Sequence, residues 1–261
     1  RELRVGRAIG FDVWNDVRVL MDRCPAMCAL ELNVVDSPIG AFWRVAGSKP
    51  SRALRTLSVT STKEITVPLL RLLSFFPYLE SLTVKAFGQP VKVVGELADL
   101  EADPMSPELG MPLSSHSRLR ALGASPLTGA APAALRSISW LTDVDLSFAD
   151  LSSGDLLASA PGLLLSVRRL SLRRVPPKVL QQFAMACPAA ERISYTATVG
   201  ADIDLSGGPT SLRSLRHLLL NLRGYCHVAV ADMPNLRALE VRRGRVRSLR
   251  LTRVGRCVSL G

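Results

Sequence analysis

The sequence predicts an α/β solenoid, in which a curved parallel β-sheet lines the concave side and helices cover the convex side. Three observations support this fold class. An apolar phrase of the form L-x-x-L-x-L recurs along the chain, and segments between its copies carry apolar residues at helical spacing. Aromatic residues are only 5% of the chain, which favours many thin, similar layers over one aromatic-centred core. Such a repeat cannot bury its apolar face alone, so stacked copies must share one core.

The apolar phrase sets the predicted strands, because its last two positions are two residues apart and therefore share one face of a strand. The middle residues of successive copies are separated by 27, 25, 40, 22, 26, 23, 25 and 21 residues. With apolar replacements, the copies are Met27–Leu30–Leu32, Leu54–Leu57–Val59, Leu79–Leu82–Val84, Leu119–Leu122–Ala124, Leu141–Val144–Leu146, Val167–Leu170–Leu172, Ala190–Ile193–Tyr195, Leu215–Leu218–Leu220 and Leu236–Leu239–Val241.

Both ends of the chain continue the pattern in part. Leu3–Val5 matches the tail of the phrase. Val246–Leu249–Leu251 follows the last full copy by ten residues, so it is either a shortened turn of the coil or a departure from the pattern.

Helical character is predicted between the strands, over residues 11–25, 66–77, 152–164 and 178–188, because apolar residues there recur at steps of three and four. The spacing of 40 reflects an irregular or inserted long repeat at residues 85–117. A degenerate strand is predicted around Val91–Val94, followed by an exposed loop rich in Glu, Asp, Pro, Gly and Ser. This excursion either serves binding or is a tolerated surface insertion.

A proline stands two residues before the first apolar position in four copies, at Pro25, Pro77, Pro188 and Pro234, and two of these read Cys-Pro. This pattern resembles the leucine-rich-repeat proteins, in particular the longer, helix-bearing repeats of the ribonuclease-inhibitor and F-box-adaptor type. The resemblance covers about residues 1–251 and implies one domain over residues 1–261, with about nine to eleven repeats. Because the chain opens at RELRVG, inside a repeat and without an initiator methionine, we expect it to be a fragment of a longer chain.

The formal net charge is +11 and is unevenly distributed. Residues 1–110 carry 13 basic and 13 acidic side chains, whereas residues 111–261 carry 20 and 9. The excess predicts an acidic partner, although a solvated basic face is the alternative. No apolar run is long enough to span a bilayer, so no membrane association is expected. Five cysteines at irregular spacing argue against a disulfide framework and for a reducing, intracellular compartment.

Motifs of catalytic chemistry are missing from the sequence. Zinc-ligand spacings, glycine-rich phosphate loops and a nucleophile elbow do not occur. The carboxylate pairs Asp143/Asp145 and Asp202/Asp204 share a strand face and so could form an acid–base dyad, but a polar patch for a basic partner is the favoured interpretation. We therefore expect a protein that is not an enzyme, with no cofactor, no metal and no small-molecule substrate.

The predicted partner-binding residues flank the inward pair of each strand and point into the concave hollow. They are Glu31, Ser58, Thr83, Lys85, Asp143, Asp145, Arg169, Ser171, Arg173, Arg192, Ser194, His217, Glu240 and Arg242. A flat or elongated partner suits this polar face, which predicts a protein-interaction scaffold or adaptor that binds a protein with an acidic surface.

The alternative function is a structural subunit of a large ribonucleoprotein, contacting RNA phosphates through the basic C-terminal half. The additional residues predicted for phosphate or acidic-partner contacts are Arg168, Arg174, Arg243, Arg245, Arg247, Arg250, Arg253 and Arg256. Few aromatic residues lie near these arginines in the sequence, which counts against base stacking.

Overall fold

The chain is a parallel β-solenoid of about six turns with little helix. The computed structural model describes residues 2–9, 19, 21–35, 52–63, 65–68, 72–73, 76–87, 91–94, 118–128, 140–148, 164–197, 202–206 and 212–255. These residues belong to two compact units, Arg1–Ile138 and Ser139–Gly261. The solenoid prediction is thus confirmed, and each unit is described by itself below.

Unit 1 contains two parallel strand series. The first runs in the order β1 (Glu2–Ile9), β2 (Ala29–Val35), β3 (Thr56–Ser61), β5 (Ser81–Ala86) and β7 (Ala121–Thr128). The second pairs β4 (Ile65–Pro68) with β6 (Val91–Val94), and β6 with the end of β7. The strand predicted around Val91–Val94 is therefore confirmed.

The register of the first series matches the alignment of the repeat. Leu30 is paired with Leu3 and Leu57, and Leu82 with Leu57 and Leu122. The pairing of Leu82 with Leu122 holds across the spacing of 40 residues. The period-two burial of the phrase thus predicted both the strands and their register.

Unit 2 repeats this arrangement and ends in two long strands of 17 residues each. Its elements are β8 (Asp143–Phe148), β9 (Arg169–Arg173), helix α1 (Pro177–Ala186), β10 (Arg192–Thr196), β11 (Ile203–Leu205), β12 (His217–Met233) and β13 (Ala238–Val254). Parallel pairing joins β8, β9, β10, β12 and β13 in that order, and β11 pairs with the second half of β12. The middle residues of the phrase are again register partners: Val144, Leu170, Ile193, Leu218 and Leu239.

Strands β12 and β13 each turn a corner and return along a second side of the coil. At the corner, Gly224 of β12 has a φ of 75° and Arg243 of β13 a φ of 62°, in the left-handed region that glycine favours, and the register between the two strands shifts there. Beyond it, Val228 pairs with Leu249 and with Ile203 of β11. Residues 246–251 therefore form the second half of β13, in the same turn as Leu239. The segment is a departure from the repeat pattern and not a shortened turn of its own.

The prediction that helices cover the convex side is wrong, because the solenoid has little helix. The helix predicted over 178–188 is confirmed as α1, whose Val179, Leu180 and Phe183 are buried. By contrast, residues 66–77 begin as strand β4, because its β-branched residues pair with β6. In the part of the chain that the structure describes, the other helical residues are 19, 21–23 and 72–73, and all of 152–163 lies outside that part.

The same hydrogen-bonded turn precedes the strand in both Cys-Pro copies. Met27 N–H donates to the Cys24 carbonyl at 2.9 Å, and Ala190 N–H donates to the Cys187 carbonyl at 3.0 Å. Cys187 caps the end of α1 and is buried, whereas Cys24 is exposed. The proline therefore marks the place where the chain reverses and the next strand begins.

Candidate functional site

In unit 1, four of the predicted partner-binding residues lie on the accessible face of the first strand series. Glu31, Ser58 and Thr83 are register partners, so their side chains form one row across β2, β3 and β5. Lys85 is exposed near the end of β5. Glu31 also forms an ion pair with Arg4 of β1 at 3.3 Å.

In unit 2, the two predicted carboxylates of β8 each bind a different arginine of β9. Asp143 accepts a hydrogen bond from Arg169 Nη2 at 3.0 Å, and Asp145 accepts one from Arg173 Nη2 at 2.7 Å. Each carboxylate is thus paired with a cation on the neighbouring strand rather than with the other carboxylate. This arrangement is a half-buried ion-pair ladder between β8 and β9.

Two rows of register-matched side chains cross the strands of unit 2 from β8 to β13. Asp145 is followed in register by Ser171, Ser194, Leu219 and Glu240. A parallel row beside it contains Asp143, Arg169, Arg192, His217 and Ala238. Arg192 and His217 are exposed, and within the described ranges no ion pair engages Arg192. These candidates are therefore gathered on one accessible face, with acidic side chains on β8 and β13 and arginines on β9, β10 and β13.

Strand β13 gathers most of the remaining candidate arginines. Six arginines and one glutamate lie within its 17 residues, and all six arginines are exposed. We call them the arginine row: Arg242, Arg243, Arg245, Arg247, Arg250 and Arg253. Arg242 pairs with Glu240, and Arg253 pairs with Asp232 at 3.5 Å.

The other candidate arginines lie apart from this row. Arg168 is exposed and pairs with Glu191 at 3.6 Å, while Arg174 follows β9 with a φ of 58°. Arg256 lies outside the described residues.

Tyr225 is a surface residue that sequence reasoning missed. It is 53% exposed on β12 and is the register partner of Arg245. Arg245 Nη1 donates a hydrogen bond to Tyr225 Oη at 3.2 Å, and the Arg247 guanidinium carbon lies over the ring, 4.3 Å from its centroid. Only the pairing of the return halves of β12 and β13 would have revealed this contact.

The carboxylates of the second pair, Asp202 and Asp204, accept hydrogen bonds from His227 and Ser206. Asp202 Oδ1 accepts a hydrogen bond from the His227 backbone N–H at 2.9 Å. Asp204 Oδ1 accepts bonds from the side chain and backbone of Ser206, and these bonds hold the pKa of Asp204 below its ordinary value. Each carboxylate thus has its own partner.

Cys226 and His227 project to opposite sides of β12, as neighbouring residues on a strand do. Cys226 is buried, and burial raises the pKa of its thiol, with a smaller contribution from the charge of Asp202. The His227 ring is exposed, with Nδ1 2.6 Å from Ser248 Oγ. The two side chains are therefore not placed to share a ligand.

Two buried ionisable groups of unit 2 are held neutral. Burial raises the pKa of the Cys187 thiol to about 12 and that of the Tyr195 phenol to about 12. Across the described segments, no group of three or more His, Cys, Asp or Glu side chains is placed to hold a metal ion. None of the helices described there is long and apolar enough to cross a membrane.

The chain matches no protein-family model, and it matches no curated protein. The class of protein that the structure defines is the parallel β-solenoid.

Proposed function

We propose that this solenoid is of leucine-rich-repeat type and acts as a non-catalytic scaffold or adaptor that binds the acidic surface of a protein partner. The repeat type is supported by the register-matched apolar phrase and by α1, which ends at the Cys187–Pro188 turn before β10. The four cysteines that the structure describes are not joined in disulfides, which fits the proposed reducing, intracellular compartment.

One observation carries the scaffold proposal: the register of unit 2 places polar side chains of successive strands side by side on one accessible face. Arg192 and His217 are register partners, and Arg169 lies on the other side of Arg192. Such a face presents charge over several neighbouring strands, which suits an extended acidic surface. Arginine is also the cation most favoured at protein interfaces.

The test is affinity capture from the native source with two charge-reversal variants. Arg192→Glu changes the proposed binding face, and Lys178→Glu makes the same change at an exposed position of α1, where an acidic residue in the first turn favours the helix. We expect Arg192→Glu to lose the captured protein and Lys178→Glu to retain it. Equal capture by both variants would remove this face from the proposal.

The arginine row favours a second candidate function, contact with RNA phosphates within a ribonucleoprotein. Strand β13 carries six arginines and one glutamate, and within the arginine row only Arg242 and Arg253 form ion pairs with described acidic side chains. Phosphate contact requires cations rather than base-specific groups. Binding of RNA should therefore weaken steeply as salt is raised, and no binding at low salt would refute this function.

A further inference from the structure

Tyr225 stands inside the arginine row rather than beside it. The Arg247 guanidinium carbon lies 4.3 Å from the centroid of the Tyr225 ring, and that of Arg245 lies 5.7 Å away. Arg245 also binds the phenol oxygen. Because the side chain remains 53% exposed, the contacts with both arginines leave ring surface open to solvent.

A β-bulge produces this contact. Cys226 pairs with Val246 and His227 pairs with Ser248, so Arg247 is an extra residue on β13 without a register partner on β12. A bulge redirects the side chain of the extra residue. Here the redirected guanidinium lies over Tyr225, which holds the ring in place and adds charge beside it.

Further cations extend along the same side of the return half of β13. Arg250 is exposed and pairs with Ala229, four residues beyond Tyr225 on β12. At about 3.3 Å per strand residue, Tyr225 and Arg250 are separated by roughly 13 Å along the strands. A chain with an anionic backbone and flat side groups fits this spacing, because phosphates reach the arginines while a base reaches the ring.

We propose that Tyr225, Arg245, Arg247 and Arg250 form a stacking platform for single-stranded RNA, an inference that rests on the second function proposed above. A nucleobase stacks on the open part of the Tyr225 ring, and the flanking phosphates bind the arginines. Duplex RNA keeps its bases stacked within the helix, so the platform selects single strands. An acidic peptide would use the arginines but would gain little from the ring.

The experiment measures binding of fluorescein-labelled octauridine to the 261-residue chain by anisotropy, in a series of salt concentrations. Base stacking on an aromatic ring predicts that Tyr225→Ala weakens binding roughly 10- to 100-fold, whereas Tyr225→Phe stays close to the parent chain. Arg250→Gln should weaken binding and reduce the salt slope by about 1. Phe87→Ala is the matched control, because Phe87 is a 65% exposed aromatic residue of unit 1 and is not one of the platform residues, so this variant should bind as the parent does.

The outcomes separate the platform from the function on which it rests. Salt-dependent binding that Tyr225→Ala leaves unchanged refutes the platform but keeps phosphate contact. No binding of octauridine at low salt refutes both. Equal affinity for an octaglutamate peptide refutes the RNA platform in favour of an acidic protein partner. Ultraviolet crosslinking of octauridine to the unsubstituted chain, mapped by mass spectrometry, gives a check that needs no variant: a crosslink at Tyr225 supports the platform, and crosslinks confined to other regions refute it.

Discussion

The buried hydroxyl of Tyr195 provides a sharp test of the packing of unit 2. Tyr195 Oη donates a hydrogen bond of 2.7 Å to the Val175 carbonyl, which joins β10 to the segment entering α1. Tyr195→Phe keeps the ring and its packing, so no cavity forms. It leaves the buried carbonyl without this donor, which costs about 1–3 kcal/mol. At about 2 kcal/mol, with a urea dependence of roughly 2 kcal/mol per M, the unfolding midpoint of this unit should fall by about 1 M.

The matched control makes the same chemical change on the surface. Tyr225→Phe removes a hydroxyl that is exposed and bonded to Arg245, so the free energy of unfolding should stay within about 0.5 kcal/mol of the parent. Both variants are measured by urea denaturation, followed by circular dichroism and by tyrosine and tryptophan fluorescence. If Tyr195→Phe is as stable as Tyr225→Phe, the carbonyl does not depend on this hydroxyl and the argument is wrong.

Three further predictions concern the core, a glycine and alkaline pH. Leu218→Ala should destabilise unit 2 by about 2–5 kcal/mol, whereas Leu219→Ala, on the accessible face of the same strand, should cost far less; equal midpoints in urea would contradict the assigned register. Gly255→Ala should lower the thermal midpoint, because a Cβ there would lie 2.4 Å from the Pro234 carbonyl oxygen; an unchanged midpoint in calorimetry would contradict that contact. The raised pKa of Cys187 means that the unfolded chain loses this thiol proton from about pH 9, whereas the folded chain keeps it until about pH 12, so the thiol reduces stability as pH rises through that window. Cys187→Ala should show a smaller alkaline loss in pH-dependent denaturation, and an identical slope would count against the burial of the thiol.

The strands that carry the repeated apolar phrase could be predicted from the sequence because their signal is local. Alternating burial in phrases such as Leu57–Val59 and Leu170–Leu172 marks the inward face within three residues. Once the phrases were aligned, the register followed, because a shift of one residue would expose every inward side chain.

Of the two short return strands in unit 1, the one at Val91–Val94 was predicted and the one at Ile65–Pro68 was not. Each is only four residues long, and segments this short fit a helix or a strand equally well. Their conformation is decided by pairing with each other, which is a tertiary interaction. The expectation of helix over 66–77 therefore failed at β4, while α1, with its longer apolar period, was predicted correctly.

Surface features also divide into those with a local sequence signal and those decided by pairing between distant strands. The polar row from Asp145 to Ser194 follows directly from the strand phrases. The contact of Tyr225 with Arg245 and Arg247 depends on where β12 and β13 bulge, which no local pattern specifies. Few aromatic residues are near the arginines in the sequence, but on the surface Arg245 and Arg247 both contact Tyr225.

The register of the strands has a consequence for the folding rate. Within each unit, a strand that carries the repeated phrase pairs with the corresponding strand of the adjacent turn. In unit 2, for example, Leu218 of β12 pairs with Leu239 of β13, 21 residues later. Relative to the length of unit 2, Ser139–Gly261, this separation corresponds to a relative contact order of roughly 0.17, a range typical of β-sheet domains rather than of helical bundles. Each unit should therefore fold at the pace of a β-sheet domain, with each turn docking on its predecessor. Under force applied at residue 254, β13 should detach first and the remaining turns of its unit should follow one at a time.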